Sequence, residues 1–255
     1  MIVVNGRAGQ RSNRLVVAAH AMATAIERGE RLMLTTFDEF KDDYVCKPPQ
    51  GIDVIIARSR FWEWVRLVER AVSIFTGLMK VSVPHILTIA SNWYYRDNRA
   101  VTKHEDTVRE FFSPVNVSTA KKSLAALRQM GQTLVGVHIR RRDYKKFLCG
   151  RYFYGDEVYF REMYRVRDML GKDVLFAVFS DEEIEESHFA GLPCQFMHGS
   201  AVEDQWMMSQ CDYLMGPPST FSAWASFMGK VPLARMWDKD YELKREDFAY
   251  RGLVA

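Results

Sequence analysis

Short apolar runs alternate along this chain with longer stretches whose apolar positions recur at helical spacing, the pattern of strands interleaved with helices. Met1–Asn5 reads as a strand, followed by a glycine-rich loop, a helix from about Ser12 to Arg28 and a strand over Arg31–Thr36. Ser12 is placed to cap that helix. Gly29 is placed to stop it, because glycine readily adopts the left-handed conformation that closes helices. Asp38 to Arg99 is irregular apart from a helix expected between Phe61 and Met79. The alternation then becomes regular: helix Thr119–Met130, strand Thr133–Ile139, helix Asp156–Leu170, strand Val174–Ser180 and a strand near Gln195–His198. Helix Glu203–Gln210, strand Tyr213–Met215, helix Phe221–Met228 and strand Val231–Ala234 complete it. This order predicts an α/β fold with parallel sheet covered by helices on both faces. The chain divides near Ser118, into residues 1–118 and 119–255, with no internal repeat and no low-complexity linker.

Composition narrows the classes. At 255 residues, 48% of them hydrophobic, the chain can bury a substantial core as one large domain or two small ones. A net charge of only +3 excludes a general polyanion binder, so any phosphate affinity must come from local clusters. Arginines gathered in one loop rather than striped along a face argue against nucleic acid as a partner. Cys46, Cys149, Cys194 and Cys211 lie far apart, which suits a reducing compartment better than a zinc knuckle or a disulfide framework. The chain opens directly on a strand, and no apolar run approaches the roughly 20 residues that span a bilayer. A cytoplasmic location is therefore expected. The segment 58–80 carries Arg58, Arg60, Arg66, Arg70 and Lys80 beside apolar residues at helical spacing. The plainer reading is an amphipathic helix packed on its own domain. The sharper one is peripheral contact with the inner face of an anionic membrane.

The chemistry concentrates in Val137-His138-Ile139-Arg140-Arg141-Arg142-Asp143-Tyr144. The apolar run before it delivers three arginines, a histidine and an aspartate to a strand's carboxyl end, where open α/β sheets bind ligands. Arginine suits phosphate because its planar fork makes paired, charge-assisted hydrogen bonds and keeps its proton. A solvated basic turn is the plainer alternative. A second segment runs from Asp204 through Trp224: a helix led by an acidic residue, a short strand, and a turn opening a further helix. Ser219, Thr220 and Ser222 fall in that helix's first turn, where free N–H groups and the helix dipole attract anions. Together the two segments describe a diphosphate clamp. Asp238-Lys239-Asp240 is the only Asp-x-Asp triplet and reads as a charged surface turn, so no metal site is expected.

His138-Ile139-Arg140-Arg141-Arg142-Asp143-Tyr144 resembles the His-x-Arg-Arg-Gly-Asp-Tyr motif of the α-1,2-fucosyltransferases, which is related to motifs of α-1,6- and protein O-fucosyltransferases. Val178-Phe179-Ser180-Asp181-Glu182 is similar to their Phe-Ser-Asp-Asp segment, and Asp204–Trp224 to a third motif. Gly6–Leu15 resembles the glycine-rich loop that opens these enzymes, and Val108–Pro114 a mid-chain pattern of the α-1,2 group. The motifs stand in the family's order over most of the chain. Arg142 in place of glycine, Glu182 in place of the second aspartate, and Pro217-Pro218 before Ser219 depart from the pattern, and bear on the linkage and the donor sugar.

The resemblance implies a GT-B-like fold, two small Rossmann-like halves facing across a cleft, the first toward the acceptor and the second holding a GDP-sugar. It implies an inverting transfer of fucose from GDP-fucose to a glycan hydroxyl, needing neither cofactor nor metal, in bacterial surface polysaccharide or glycolipid synthesis. A glycan or lipid-linked glycan is then the acceptor. Arg140 would face the β-phosphate, with Arg141 beside it, and Asp204 would read guanine, although an Asp at a helix start can be only a cap. His138 would contact the nucleotide or be a satisfied histidine at a strand end. Ser219, Thr220 and Ser222 would complete the phosphate cradle, while Gly6, Gly9 and Asn13 would approach from the first half. The general base stays open among Asp143, Asp156 and Glu157, with Asp143 equally able to serve as an ion-pair partner of the arginines. Two other readings remain: another GDP-deoxysugar as donor, or a sugar-nucleotide or glycan-binding module without catalysis.

Overall fold

The computed structural model describes residues 1–5, 9–56, 88–89, 95–130, 132–171 and 173–253. They form two compact units, Met1–Val115 and Asn116–Ala255, each built on its own parallel sheet. The helix expected between Phe61 and Met79, the membrane-facing reading of 58–80, and Gly6 lie outside the described residues.

In the first unit the described strands are β1 (Ile2–Val4), β2 (Leu32–Leu34), β3 (Val54–Ile56) and β4 (Thr88–Ile89), in the sheet order β3-β2-β1-β4. Helix α1 (Arg11–Arg28) follows β1 and buries Leu15, Val16, Val17, Met22 and a series of alanines, whose small side chains let it sit close to its neighbours. Its start differs from the sequence expectation. Gly9 turns the chain in the left-handed region (φ 62°), Gln10 takes the cap position, and Ser12 lies inside the helix and buried. Gly29 closes α1 as expected, with φ 62° and its N–H directed to the carbonyls of Ala25 and Ile26. Helices α2 (Asn98–Lys103) and α3 (Glu105–Phe111) follow. Phe37, Tyr44, Phe111 and Phe112 pack edge to face or tilted beside them, with Phe37 and Phe112 centroids 5.4 Å apart.

The second unit opens with α4 (Ser118–Arg128) and β5 (Thr133–Ile139). After it come α5 (Asp156–Leu170), β6 (Val174–Ser180), β7 (Cys194–Met197), α6 (Ala201–Met208), β8 (Tyr213–Gly216), α7 (Thr220–Gly229) and β9 (Leu233–Arg235). Strands β5 and β6 and helix α5 occupy the expected residues. The strand order is β7-β6-β5-β8-β9. Strands β5 and β6 pair in register from Thr133↔Val174 to Ile139↔Ser180. Both faces of this sheet are covered, which is why β5 reads as a continuous apolar run. Val135, Val137, Ile139, Tyr159, Met163 and Val178 pack on one side. Leu134, Phe179, Met207, Met208, Leu214 and Ala225 pack on the other. Each large side chain buried this way contributes about 1.5–3 kcal/mol relative to exposure.

Chain order departs in opposite directions from β5: toward β6 and β7 on one side, toward β8 and β9 on the other. The first unit repeats this around β1, between β2 and β4. Each sheet therefore has a switch point beside its central strand, where a crevice opens at the strands' carboxyl ends.

Candidate active site

The second unit's switch point lies between β5 and β8, and the residues following those strands build the site. Gly216 at the end of β8 must lack a side chain, since a Cβ there would stand 2.7 Å from the His138 carbonyl oxygen and 3.1 Å from its Cβ. That close approach brings the end of β5 against the turn after β8. Tyr144 fastens the two together by donating its hydroxyl hydrogen to the Pro218 carbonyl at 2.6 Å.

Arg140 stands one residue beyond β5. Its Nη1 is 2.7 Å from Asp181 Oδ2, and its Nη2 donates to Asp143 Oδ1 at 2.5 Å. The guanidinium also lies over the Tyr144 ring, 5.6 Å from the centroid. Asp181, just past β6, takes the Arg141 backbone N–H on its other oxygen at 2.9 Å. Asp181 thus pairs with the Arg140 charge through an oxygen that makes no hydrogen bond among the described residues, and accepts the backbone N–H of the next residue on the other.

The three arginines that the sequence delivers together part company here. The Arg141 guanidinium pairs with Asp156, the first residue of α5, and Asp156 also engages His188 Nδ1 at 2.7 Å. Arg142 is exposed on a 3-10 turn, Arg142–Lys145. Arg140 is therefore the arginine of this loop that combines fixed geometry with a place at the switch point. Asp156, an open candidate for general base, is engaged by two basic side chains, and Glu157 is exposed.

After β8, Ser219 caps α7 by accepting the Phe221 N–H at 3.2 Å. Ser219 and Thr220 are half-buried at the helix start. Ser222 is fully buried and donates to the Ser219 carbonyl at 3.2 Å, bracing the turn from beneath. His138 is only 3% exposed, with its ring tilted against Phe221 at 5.1 Å. Burial, and then the nearby Arg140 charge, push its pKa down to about 3, so it is neutral near pH 7. Its Nδ1 has no hydrogen-bond partner among the described residues, which departs from a satisfied strand-end histidine.

Asp204 is not the start of its helix. Ser200 caps α6 through a capping box with Glu203, and Asp204 lies in the following turn. Asp204 Oδ1 accepts the Gly199 N–H at 3.0 Å. Burial raises its pKa to about 6, against the opposing effect of that N–H. Gly199 and Glu203, on either side, help line a cavity of about 380 Å³ with His198, Phe196, Leu127 and Met207. Ser200 thus takes the cap itself, while Asp204, in the first turn after it, braces the approach to the helix through the Gly199 N–H.

Sequence reasoning quoted Asp181 and Tyr144 within motifs but gave neither a place in the site. The available signal was symmetry: β6 ends in Ser180-Asp181 beside the end of β5, so its first polar residues face the same crevice. In the first unit, Gly9 takes its left-handed turn with Asn13 packed where a Cβ would fall. Asp238-Lys239-Asp240 is an exposed turn, with the Asp240 N–H bonded to Asp238 Oδ1 at 2.9 Å. Beyond the arginine loop, Leu148, Cys149 and Gly150 form a left-handed run (φ 47°, 57° and 79°), with Leu148 and Cys149 exposed. Among the described residues no helix is long and apolar enough to cross a membrane.

A parallel α/β unit with an arginine and a helix N-terminus placed after the strands of its switch point has a Rossmann-like architecture. The model of glycosyl transferase family 11 matches residues 78–251, and the chain belongs to that family. It is 29% identical to the α-1,2-colitosyltransferase of Escherichia coli over 184 residues, 66% of this chain and 55% of that protein. It is 31% identical over 112 residues to galactoside α-(1,2)-fucosyltransferase 1 of Rattus norvegicus, 38% of this chain and 28% of that one. The chain thus spans about half the length, or less, of these relatives. Its fold is similar to crystal structures of the fucosyltransferase NodZ from Bradyrhizobium, with a TM-score of 0.63 at 15% identity, covering 92% of this chain and 94% of that one. NodZ α-1,6-fucosyltransferase soaked with GDP-fucose gives a TM-score of 0.60 at 17% identity, with the same coverage. The α/β class with parallel sheets, expected from the alternation, holds in both units.

Proposed function

We propose that this chain moves fucose from GDP-fucose to a glycan hydroxyl, with inversion and without a metal ion. The observation that carries the reading is the Arg140 guanidinium, fixed at the β5/β8 switch point beside the N-terminus of α7. As the bond between the sugar's anomeric carbon and the diphosphate breaks, the electron pair stays on the diphosphate. Arg140 meets that growing charge with its fork, and the N–H groups of the α7 first turn, with Ser219 and Thr220, add fixed dipoles. A preorganised donor of this kind is worth about 10²–10³ in rate. The acceptor oxygen bonds to the anomeric carbon from the opposite face and loses its proton. We leave Asp156 out of that step, because it is held by Arg141 and His188.

In this reading the Asp204 carboxylate accepts from the ring N–H and exocyclic amine of guanine together, a donor pair that adenine and the pyrimidines do not offer. His138, neutral and with Nδ1 available, contributes a hydrogen bond and no charge. The relatives support the class: an α-1,2-fucosyltransferase among the sequences, and a fucosyltransferase soaked with GDP-fucose among the structures. A second reading, another GDP-deoxysugar as donor, is favoured by the relative named α-1,2-colitosyltransferase. A lipid-linked acceptor at the inner face of a membrane rests on the sequence pattern of 58–80 alone, and salt-sensitive co-sedimentation with anionic liposomes tests it.

The central experiment is calorimetric titration with GDP, UDP and ADP in EDTA, on the wild type and Arg140→Ala. GDP-selective binding that survives EDTA and collapses in the variant is expected. Equal binding of the three nucleotides would remove the donor assignment. Turnover with GDP-fucose then separates a transferase from a binding module.

A further inference from the structure

We infer that Asp143 is an internal stand-in for the donor's phosphate: it occupies one arm of the Arg140 fork until a phosphate oxygen takes its place, while Asp181 keeps the other arm throughout. The inference rests on the reading of Arg140 as the phosphate clamp and says how that clamp is kept ready when empty.

The two carboxylates on Arg140 are not equivalent. Asp181 is 14% exposed in its side chain, lies just past a seven-residue strand, and is anchored a second time by the Arg141 backbone N–H at 2.9 Å. Asp143 is 51% exposed and sits on the short 3-10 turn, three residues from the arginine it bonds. Breaking the inner pair strands a charge out of water, whereas the outer pair is screened and contributes little net. Any anion reaching the crevice therefore displaces the outer carboxylate first.

Geometry and charge make the exchange favourable. A carboxylate oxygen and a phosphate oxygen present the same acceptor to a guanidinium N–H. A diphosphate carries more negative charge than a single carboxylate. Tyr144, the next residue, is tied to the Pro218 carbonyl at 2.6 Å, so the base of the turn stays in place. Rotation of the Asp143 side chain then releases its bond to Nη2. When the diphosphate departs, the same carboxylate returns and keeps the guanidinium aimed at the crevice. Asp143 is thus a competitor of the donor, and Asp181 is a positioning residue that acts through Arg140.

The two aspartates are distinguished by the sign of their effects. GDP and, in parallel, inorganic pyrophosphate are titrated at fixed ionic strength into wild type, D143N, D181N, and D143N in an R140A background, with UDP titrated into the wild type as the base control and thermal melts to confirm folding. D143N is expected to bind both ligands about three- to fivefold more tightly, and D181N at least about tenfold more weakly. The gain from D143N should vanish when Arg140 is absent. If D143N binds both ligands no better than wild type, the exchange is overturned, whatever D181N does. If GDP shows no advantage over UDP while pyrophosphate still binds D143N more tightly, the donor reading fails and the exchange stands.

Discussion

The loop after β1 and the loop after β5 leave the central strands of two parallel sheets at equivalent switch points, yet they do different things with their arginines. After β1, Gly9 turns the chain into α1 at once, and Arg11 and Arg14 are drawn sideways within their own unit. Arg11 pairs with Asp43 at 2.6 Å and Arg14 with Glu39, and both guanidinium groups lie over the Phe40 ring, at 4.6 and 5.2 Å. After β5 no α-helix begins until Asp156. The chain instead makes a 3-10 turn and a left-handed run, so Arg140 remains at the strand end between Asp181 and Asp143. The described arginines after β1 therefore rest on ion pairs and an aromatic ring, whereas Arg140 stands between two aspartates at the end of its strand.

The sharpest way to break this comparison is at Arg140. Arg140→Ala should lower transfer by about 10²–10³, and Arg140→Lys should fail nearly as badly, because an ammonium cannot reproduce the paired geometry. Steady-state kinetics with GDP-fucose checks both. Arg141→Ala, one residue on, should act on the fold instead. Losing the inner partner of Asp156 is expected to lower unfolding free energy by about 2–4 kcal/mol in urea, with GDP affinity changing far less than in Arg140→Ala.

Asp204→Asn carries two effects of opposite sign. The folded-state pKa of Asp204 is raised from 3.8 to about 6, so its ionised form costs stability above pH 6 and nothing below 3.8. The variant should therefore gain on the order of 1–3 kcal/mol at pH 7.5, and the gain should shrink as pH falls through 6 and disappear near 3.8. The same variant should lose its preference for GDP over ADP. If Asp204 reads guanine as proposed, GDP affinity in the wild type should rise with pH through about 6, as that carboxylate ionises.

Two glycines sharpen the contrast further. Gly216→Ala forces a Cβ against the His138 backbone and should cost about 1–3 kcal/mol. Gly9→Ala should cost about 1–2 kcal/mol for its left-handed backbone. Gly9→Asn should recover part of that loss, since Asn visits this region more readily, whereas no side chain rescues position 216. Thermal melts of the three variants decide it. Smallest is Arg11→Ala, which removes a partly exposed pair with Asp43 and should lower stability by less than about 1 kcal/mol.

What could be read from the sequence follows from how much each feature depends on its neighbours. Strands β5 and β6 and helix α5 are long, buried and strongly periodic, so local pattern suffices. Strand β3 has three half-buried residues and no alternation to detect, so it is lost within the irregular stretch 38–99, and α2 and α3, barely two turns each and essentially beyond that stretch, are too short for their periodicity to show. In the site, Arg140, Asp143 and the Ser219 cap announced themselves by residue type and position. The parting of Arg140 from Arg141 did not, because it is dictated by Asp181 and Asp156, carried on other elements. Three residues after Ser219, Ser222 falls on the buried side of α7, a placement its spacing already implies. Asp204 was taken for a helix start although Ser200 and Glu203 spelled a capping box just before it.

The left-handed run after the arginine loop gives the molecule a ready chemical handle. Burial holds the thiols of Cys46, Cys194 and Cys211 protonated, pushed up to about 11, 12 and 12. Cys149, by contrast, stands in solvent on the arch formed with Leu148 and Gly150. A maleimide dye at neutral pH should therefore label one position of the unaltered chain, on the loop that leads away from Asp143 and Tyr144. Its emission would follow the arrival and departure of a nucleotide in real time, with no engineered cysteine.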